Sequence, residues 1–169
     1  ENHDPRHVES CDVLLWSPAI SAKHEERLHA AEIGVTLLDR ASFLAKIGEE
    51  NRLIGLTGTH GKTTATSMLA LILDESGADF GHLLGADIRG LGSNGSYGPD
   101  GIVVEVDESY GTFTQVAPSA LGILNIEADH LDYYGSLQAL ESAFFELAQR
   151  TTGPVVYLRD DAGARREIG

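Results

Sequence analysis

Apolar residues along this chain follow two rhythms. Short apolar runs at 11–16, 35–38, 53–57, 102–106, 120–126 and 155–158 are closed by proline, glycine or polar clusters, and each predicts a buried strand. Between them apolar positions return every three or four residues, which predicts helices over 24–33, 42–50, 63–76 and 136–150. Ser42 and Ser136 stand where N-caps belong, and Gly34, Gly77 and Gly153-Pro154 stand where helices should stop. The glycine-rich stretch 81–100 predicts an irregular surface segment, either functional or mobile, and 159–169 predicts the start of one more helix.

Strands alternating with helices imply an α/β fold with a mainly parallel sheet, flanking helices and right-handed crossovers. Residues 1–50 predict the closing part of one such domain, and residues 51–169 a second, incomplete one.

Composition narrows the partners. The 26 acidic against 12 basic residues give a formal charge of −14, which repels nucleic acid and anionic membrane surfaces. An anionic ligand would therefore need a local positive or N–H-rich site. The lone cysteine, Cys11, excludes an intrachain disulfide and reads as a small, partly buried apolar residue. No apolar run approaches the roughly 20 residues of a membrane helix. No basic-then-apolar leader opens the chain, and it begins with Glu1, so the expectation is a cytoplasmic protein cut from something longer.

The chemistry begins at L-T-G-T-H-G-K-T-T, residues 56–64. A glycine turn between a strand and a helix meets phosphates with backbone N–H groups and the positive end of the helix dipole. Gly58, Thr59, His60, Gly61, Lys62, Thr63 and Thr64 form this loop: the glycines allow a tight turn, Lys62 brings a point charge, and the Thr63 hydroxyl can ligate Mg2+. The full phosphate-loop pattern would place glycine at position 56, where this chain has leucine.

Two acidic clusters close later strands. In V-E-V-D-E-S, residues 104–109, alternation would put Glu105 and Asp107 on one face, so that either could reach a metal held by Thr63. In N-I-E-A-D-H-L-D, residues 125–132, His130 could ligate a second divalent ion or orient a carboxylate substrate. The plainer readings are a solvated acidic turn and a structural histidine.

Taken together, residues 58–64, 104–113 and 125–136 resemble the Mur ligases, ATP-dependent amide-forming enzymes of peptidoglycan synthesis, and most of all their alanine-adding branch. Residues 12–20 likewise resemble the last strands of that branch's N-terminal, UDP-substrate-binding Rossmann-like domain. The resemblance implies a P-loop-like central ATPase domain over 51–169. It also implies ATP and Mg2+ as cofactors, and UDP-N-acetylmuramate and L-alanine as substrates, joined through an acyl phosphate. Carried onto this chain, residues 58–64 would hold the ATP phosphates, Lys62 would neutralise charge on the transferred group, Thr63 and Glu105 would bind one Mg2+, and His130 would bind the second ion. Lys62, Glu105 and His130 are thus the catalytic candidates.

This chain departs from the branch at Tyr110, where aspartate is usual, and at Val106, where alanine is usual. Set beside a whole ligase of that family, residues 1–169 are expected to leave out the nucleotide-sugar loop, the later part of the central domain and the third domain. A related ligase that recycles murein tripeptide and a non-catalytic nucleotide-binding module are the alternatives.

Overall fold

The computed structural model describes residues 3–167, which fall into two compact units, one ending at Leu44 and one beginning at Ala45.

The first unit opens with a 3-10 turn, Pro5–Val8, capped by the Asp4 carboxylate. Strand β1 (Val13–Trp16), helix α1 (Glu25–Ile33) and strand β2 (Thr36–Asp39) then form one βαβ crossover, the strands pairing in parallel from Val13 with Thr36 to Trp16 with Asp39. The Arg27 guanidinium lies 3.5 Å above the Trp16 ring and fastens α1 to β1. Helix α2 (Arg40–Glu50) follows β2 without a loop. Its cap is therefore not Ser42: the Asp39 carboxylate accepts the Ser42 N–H at 2.7 Å, and Ser42 sits inside the helix. Cys11 also differs from expectation, for it is exposed, its thiol donating to the His7 carbonyl at 3.5 Å.

The second unit is built on a six-stranded sheet of order β5-β4-β6-β3-β7-β8. Its strands are β3 (Leu53–Thr57), β4 (Phe80–Leu83), β5 (Gly95–Ser96), β6 (Gly101–Glu105), β7 (Ala120–Ile123) and β8 (Val155–Tyr157). All neighbours are parallel except β4 and β5. Helix α3 (Lys62–Glu75) follows β3, the short α4 (Leu131–Tyr134) precedes α5 (Leu137–Arg150), and α6 (Ala162–Glu167) follows β8. Residues 168 and 169 of the expected last helix lie outside the described residues. Ser136 caps α5 as its position predicts, accepting the Ala139 N–H at 3.1 Å.

The core is Leu53, Val103, Val104, Leu121 and Ile123 from the central strands, roofed by Leu140, Phe144 and Leu147 of α5 and by Phe113, all nearly or fully buried. Phe113 and Phe144 meet edge to face at 5.1 Å. Helix α3 packs differently, burying only the small Thr66, Ser67 and Ala70, while Met68 and Ile72 stay exposed. Val156 and Leu158 at the β8 edge are also exposed.

The segment 81–100 is less irregular than expected, because β4 and β5 lie within or across its start. Gly81 explains why the pattern missed them. A Cβ there would run into the Ser96 carbonyl and lie 2.7 Å from the Gly98 nitrogen, so glycine marks close backbone approach inside a strand pair and not a loop.

Candidate functional site

The site forms where β3, β6 and β7 end side by side, in register at Leu56 with Glu105 and at Thr57 with Ile123. Chain leaving the carboxyl ends of neighbouring parallel strands must turn over the same edge, so three separate loops converge there.

The loop after β3 is shaped by its backbone. Gly58 sits at φ +140, and a Cβ on it would lie 3.0 Å from both Asn125 N and Leu124 Cβ. Only glycine fits a conformation that tight against the neighbouring chain. The loop is then clasped from the far side. Asn125 Oδ1 accepts the His60 N–H at 2.8 Å while Asn125 Nδ2 donates to the His60 carbonyl at 3.0 Å, and the Thr59 N–H donates to the Asn125 carbonyl at 3.1 Å. Thr59 Oγ1 adds a bond from the Glu127 N–H at 2.9 Å. No side chain caps α3, so the N–H groups of its first turn are open to an anion. The result is a cavity of about 300 Å3 lined by Thr59, His60, Gly61, Lys62, Thr63, Thr64 and Glu105.

Lys62 does not extend freely into that cavity. Its ammonium donates to the Gly58 carbonyl at 2.9 Å and to both oxygens of Glu108 at 2.9 and 2.8 Å, with Asp107 Oδ1 at 3.5 Å. The Glu108 side chain is fully buried. Burial pushes its carboxyl above the ordinary range, and the Lys62 hydrogen bonds oppose that push. The Tyr134 hydroxyl donates to the Glu108 carbonyl at 2.6 Å, and burial raises the Tyr134 phenol above its usual range.

Glu105 is also buried, and its Oε2 accepts the Gly85 N–H at 3.1 Å. An oriented carboxylate and the Thr63 hydroxyl on one cavity wall are the oxygen donors that hard divalent ions take. Asp107 does not share this arrangement. Strand β6 ends at Glu105, so alternation stops there, and Asp107 turns to Lys62 and to the Ser109 hydroxyl at 2.5 Å. His130 does not line the cavity; its Nε2 lies 3.8 Å from Glu108 Oε1.

Sequence reasoning missed Glu108 and Asn125. Glu108 was visible as the third acid of V-E-V-D-E-S, but strand alternation singled out its neighbours. Asn125 was visible as the first letter of its motif, and only the fold shows that its amide satisfies both backbone groups of His60. The His60 ring itself is mostly exposed, with Glu127 Oε2 3.9 Å away.

Two non-glycine residues, Tyr110 (φ 54) and His130 (φ 49), adopt left-handed backbone, and both flank Glu108. Strain of this kind persists where surrounding contacts over-determine the chain, and it gathers at working sites.

A mainly parallel sheet with a glycine loop at the N-terminus of the helix after its central strand, a loop lysine and a buried carboxylate at the same cavity define a phosphate-loop α/β domain. Residues 56–168 match the Mur ligase middle domain. The chain belongs to the Mur ligase family. It is 39% identical over 165 residues to the UDP-N-acetylmuramate–L-alanine ligase of a Nocardioides species, covering 96% of this chain and 37% of that one. It is likewise 39% identical over 168 residues to the ligase of that name from Salinispora arenicola, covering 98% of this chain and 33% of the relative. The crystal structure of the UDP-N-acetylmuramate–alanine ligase of Thermotoga maritima superposes with a TM-score of 0.87 at 28% identity, over 98% of this chain and 39% of that one. The chain thus spans about a third of the length of the relatives it matches.

Proposed function

We propose that this chain is the phosphate-holding part of an ATP-dependent ligase that joins L-alanine to UDP-N-acetylmuramate through an acyl phosphate, in the cytoplasm. The observation that carries the reading is the meeting of Lys62, Thr63 and Glu105 at one cavity, in a chain alignable along nearly all its length with ligases of that name.

Thr63 and Glu105 fit Mg2+, which takes one or two protein oxygens and leaves its other positions to phosphate and water. Bound there, Mg2+ would neutralise charge on the phosphates. The chain's own residues do the rest. The open first turn of α3 binds phosphate oxygens through its N–H groups. Lys62 brings positive charge to the transferred group, and Glu108 sets where that charge sits. His130 would hold a second ion near the substrate carboxylate, on the Glu108 side of the site.

Calorimetric titration of the chain with Mg-ATP tests the nucleotide assignment: binding is expected in the wild type and lost in Lys62→Ala, and no binding by the wild type overturns it. To test the substrate, residues 53–169 are grafted into the Nocardioides relative and phosphate release is followed with L-alanine or murein tripeptide. Release that requires L-alanine and vanishes in Lys62→Ala is expected. Release with tripeptide alone would identify the recycling ligase instead, and a graft that binds Mg-ATP without turnover would favour a non-catalytic module.

A further inference from the structure

We infer that the first unit carries a divalent transition-metal site formed by His3, His24 and Glu26. Among the described residues this is the only group of histidine, cysteine and carboxylate side chains whose donor atoms converge, all lying within 4.8 Å of one another. It is separate from the phosphate loop in sequence and in chemistry.

The fold makes the convergence. His24 is the N-cap residue of α1 and Glu26 lies in that helix's first turn, while the Asp4 N–H donates to Glu26 Oε1 at 3.3 Å and holds the segment carrying His3 and His7 against them. His3 Nδ1 lies 3.2 Å from Glu26 Oε2, and His24 Nδ1 lies 3.9 Å from the same oxygen. A tetrahedral ion with bonds of about 2.1 Å holds its ligands about 3.4 Å apart. The first separation already meets that spacing, the second needs a shift of about half an ångström, and the third, between the two imidazoles, lies within 4.8 Å and closes by at most about 1.4 Å. His7 completes the arrangement from outside. Its Nδ1 lies 2.9 Å from the other carboxylate oxygen, Glu26 Oε1, so it fixes the carboxylate plane as outer partners of metal ligands do.

Charge and donor type decide the ion. Two imidazole nitrogens with one carboxylate suit Zn2+, Co2+, Ni2+ or Cu2+, whereas Mg2+ and Ca2+ want oxygen throughout. The positive end of α1 opposes a cation, but Glu25 and Glu26 in its first turn offset that field. Entry is open, because the His3 side chain is 61% exposed while His24 and Glu26 are mostly covered. A bound ion would tie the segment before β1 to the head of α1, so metal binding and stability of this unit are linked.

The test is titration of the full 169-residue chain with Zn2+ by calorimetry and with Co2+ by visible absorption, in the absence of nucleotide. One ion per chain is expected, with the absorption of a tetrahedral cobalt centre. Affinity should fall about 10- to 100-fold in His7→Ala and by more than that in His24→Ala and in Glu26→Gln, which remove ligands, while His29→Ala on the same helix leaves it unchanged. His3→Ala guards against misfolding, since an exposed side chain can be removed without disturbing the core; it should lose binding while its melting temperature in chelator stays that of the wild type. In the wild type Zn2+ should raise the melting temperature, and in His3→Ala it should not. Absence of binding in the wild type, or binding that survives both His3→Ala and His24→Ala, overturns the site.

Discussion

The loop after β3 and the loop after β6 turn over the same edge of the sheet, yet they are built by opposite means. The first is shaped from within: Gly58 takes a backbone shape closed to other residues, and the helix behind it supplies the N–H groups. The second is shaped from without. Its central residue, Glu108, is buried without an apolar reason to be there, and it is held by Lys62 and by nearby Tyr134 and His130. The first loop is held at its backbone groups, which Asn125 clasps, whereas the second must place a charge and so depends on the charge that faces it.

Removing the facing charge should break the second loop most. In Lys62→Met the Glu108 carboxylate loses its counter-charge, and uncompensated burial costs about 3–5 kcal/mol. Nucleotide binding should vanish with it. The pH dependence carries the sign. Burial already holds the Glu108 carboxyl above its ordinary range, so the folded state keeps its proton to higher pH than the unfolded chain does. Stability from this group is therefore present below the unfolded carboxyl's pKa and is lost as pH rises through the folded one. Without Lys62 to oppose the shift, that loss should steepen. Denaturant melts between mildly acid and neutral pH check it: the slope should be greater in Lys62→Met than in the wild type and should disappear in Lys62→Met with Glu108→Gln.

The first loop should break through its backbone. Gly58→Ala forces a side chain into a left-handed conformation against Asn125, at about 1–3 kcal/mol, and should weaken Mg-ATP binding while leaving the Lys62–Glu108 pair in place. Thermal melting and calorimetry together separate the two effects. If Gly58→Ala instead behaved like Lys62→Met, with the same steep pH slope, the two loops would be one unit and the contrast would fail.

The same contrast governs what could be read from the sequence. Strands β3, β6, β7 and β8 and the cap of α5 were legible because local patterns determine them, and the phosphate loop because its glycines and lysine have fixed jobs. Strand β4 was not, since Gly81 looks like a turn until Ser96 is seen beside it. Asp107 was placed beside Glu105 by extending alternation past the end of a strand. Glu108 and Asn125 were unreadable for one reason: their partners lie 46 and 65 residues away in sequence. What a pattern cannot carry is the identity of a neighbour across such a distance.

Glu105 offers a subtler probe, because it sits between the two kinds of loop: it ends a regular strand yet is aimed by a distant N–H, that of Gly85. Glu105→Gln keeps that acceptor and removes the charge. Stability should change little, within about 0.5 kcal/mol for a substitution that preserves the hydrogen bond. ATP should then bind almost equally with and without Mg2+, whereas the wild type should bind the magnesium complex more tightly. A variant that kept the wild-type preference would move the metal-binding role away from Glu105.

The smallest effect should come from Tyr110, and it runs in the opposite direction. Left-handed backbone costs most residues roughly 1 kcal/mol, and asparagine or aspartate tolerates it best. Tyr110 holds that conformation at φ 54 and is 59% exposed, and its ring meets Tyr133 edge-on at 6.4 Å. That backbone would suit asparagine or aspartate better than tyrosine. Tyr110→Asn should stabilise the chain by about 0.5–1 kcal/mol, and Tyr110→Asp by a similar amount less whatever the added charge costs beside Glu108. Denaturant midpoints for the pair measure the two terms separately. Equal gains would mean that backbone shape alone selects the residue; a gain confined to asparagine would mean that the buried Glu108 carboxylate is felt even at the exposed rim of its own loop.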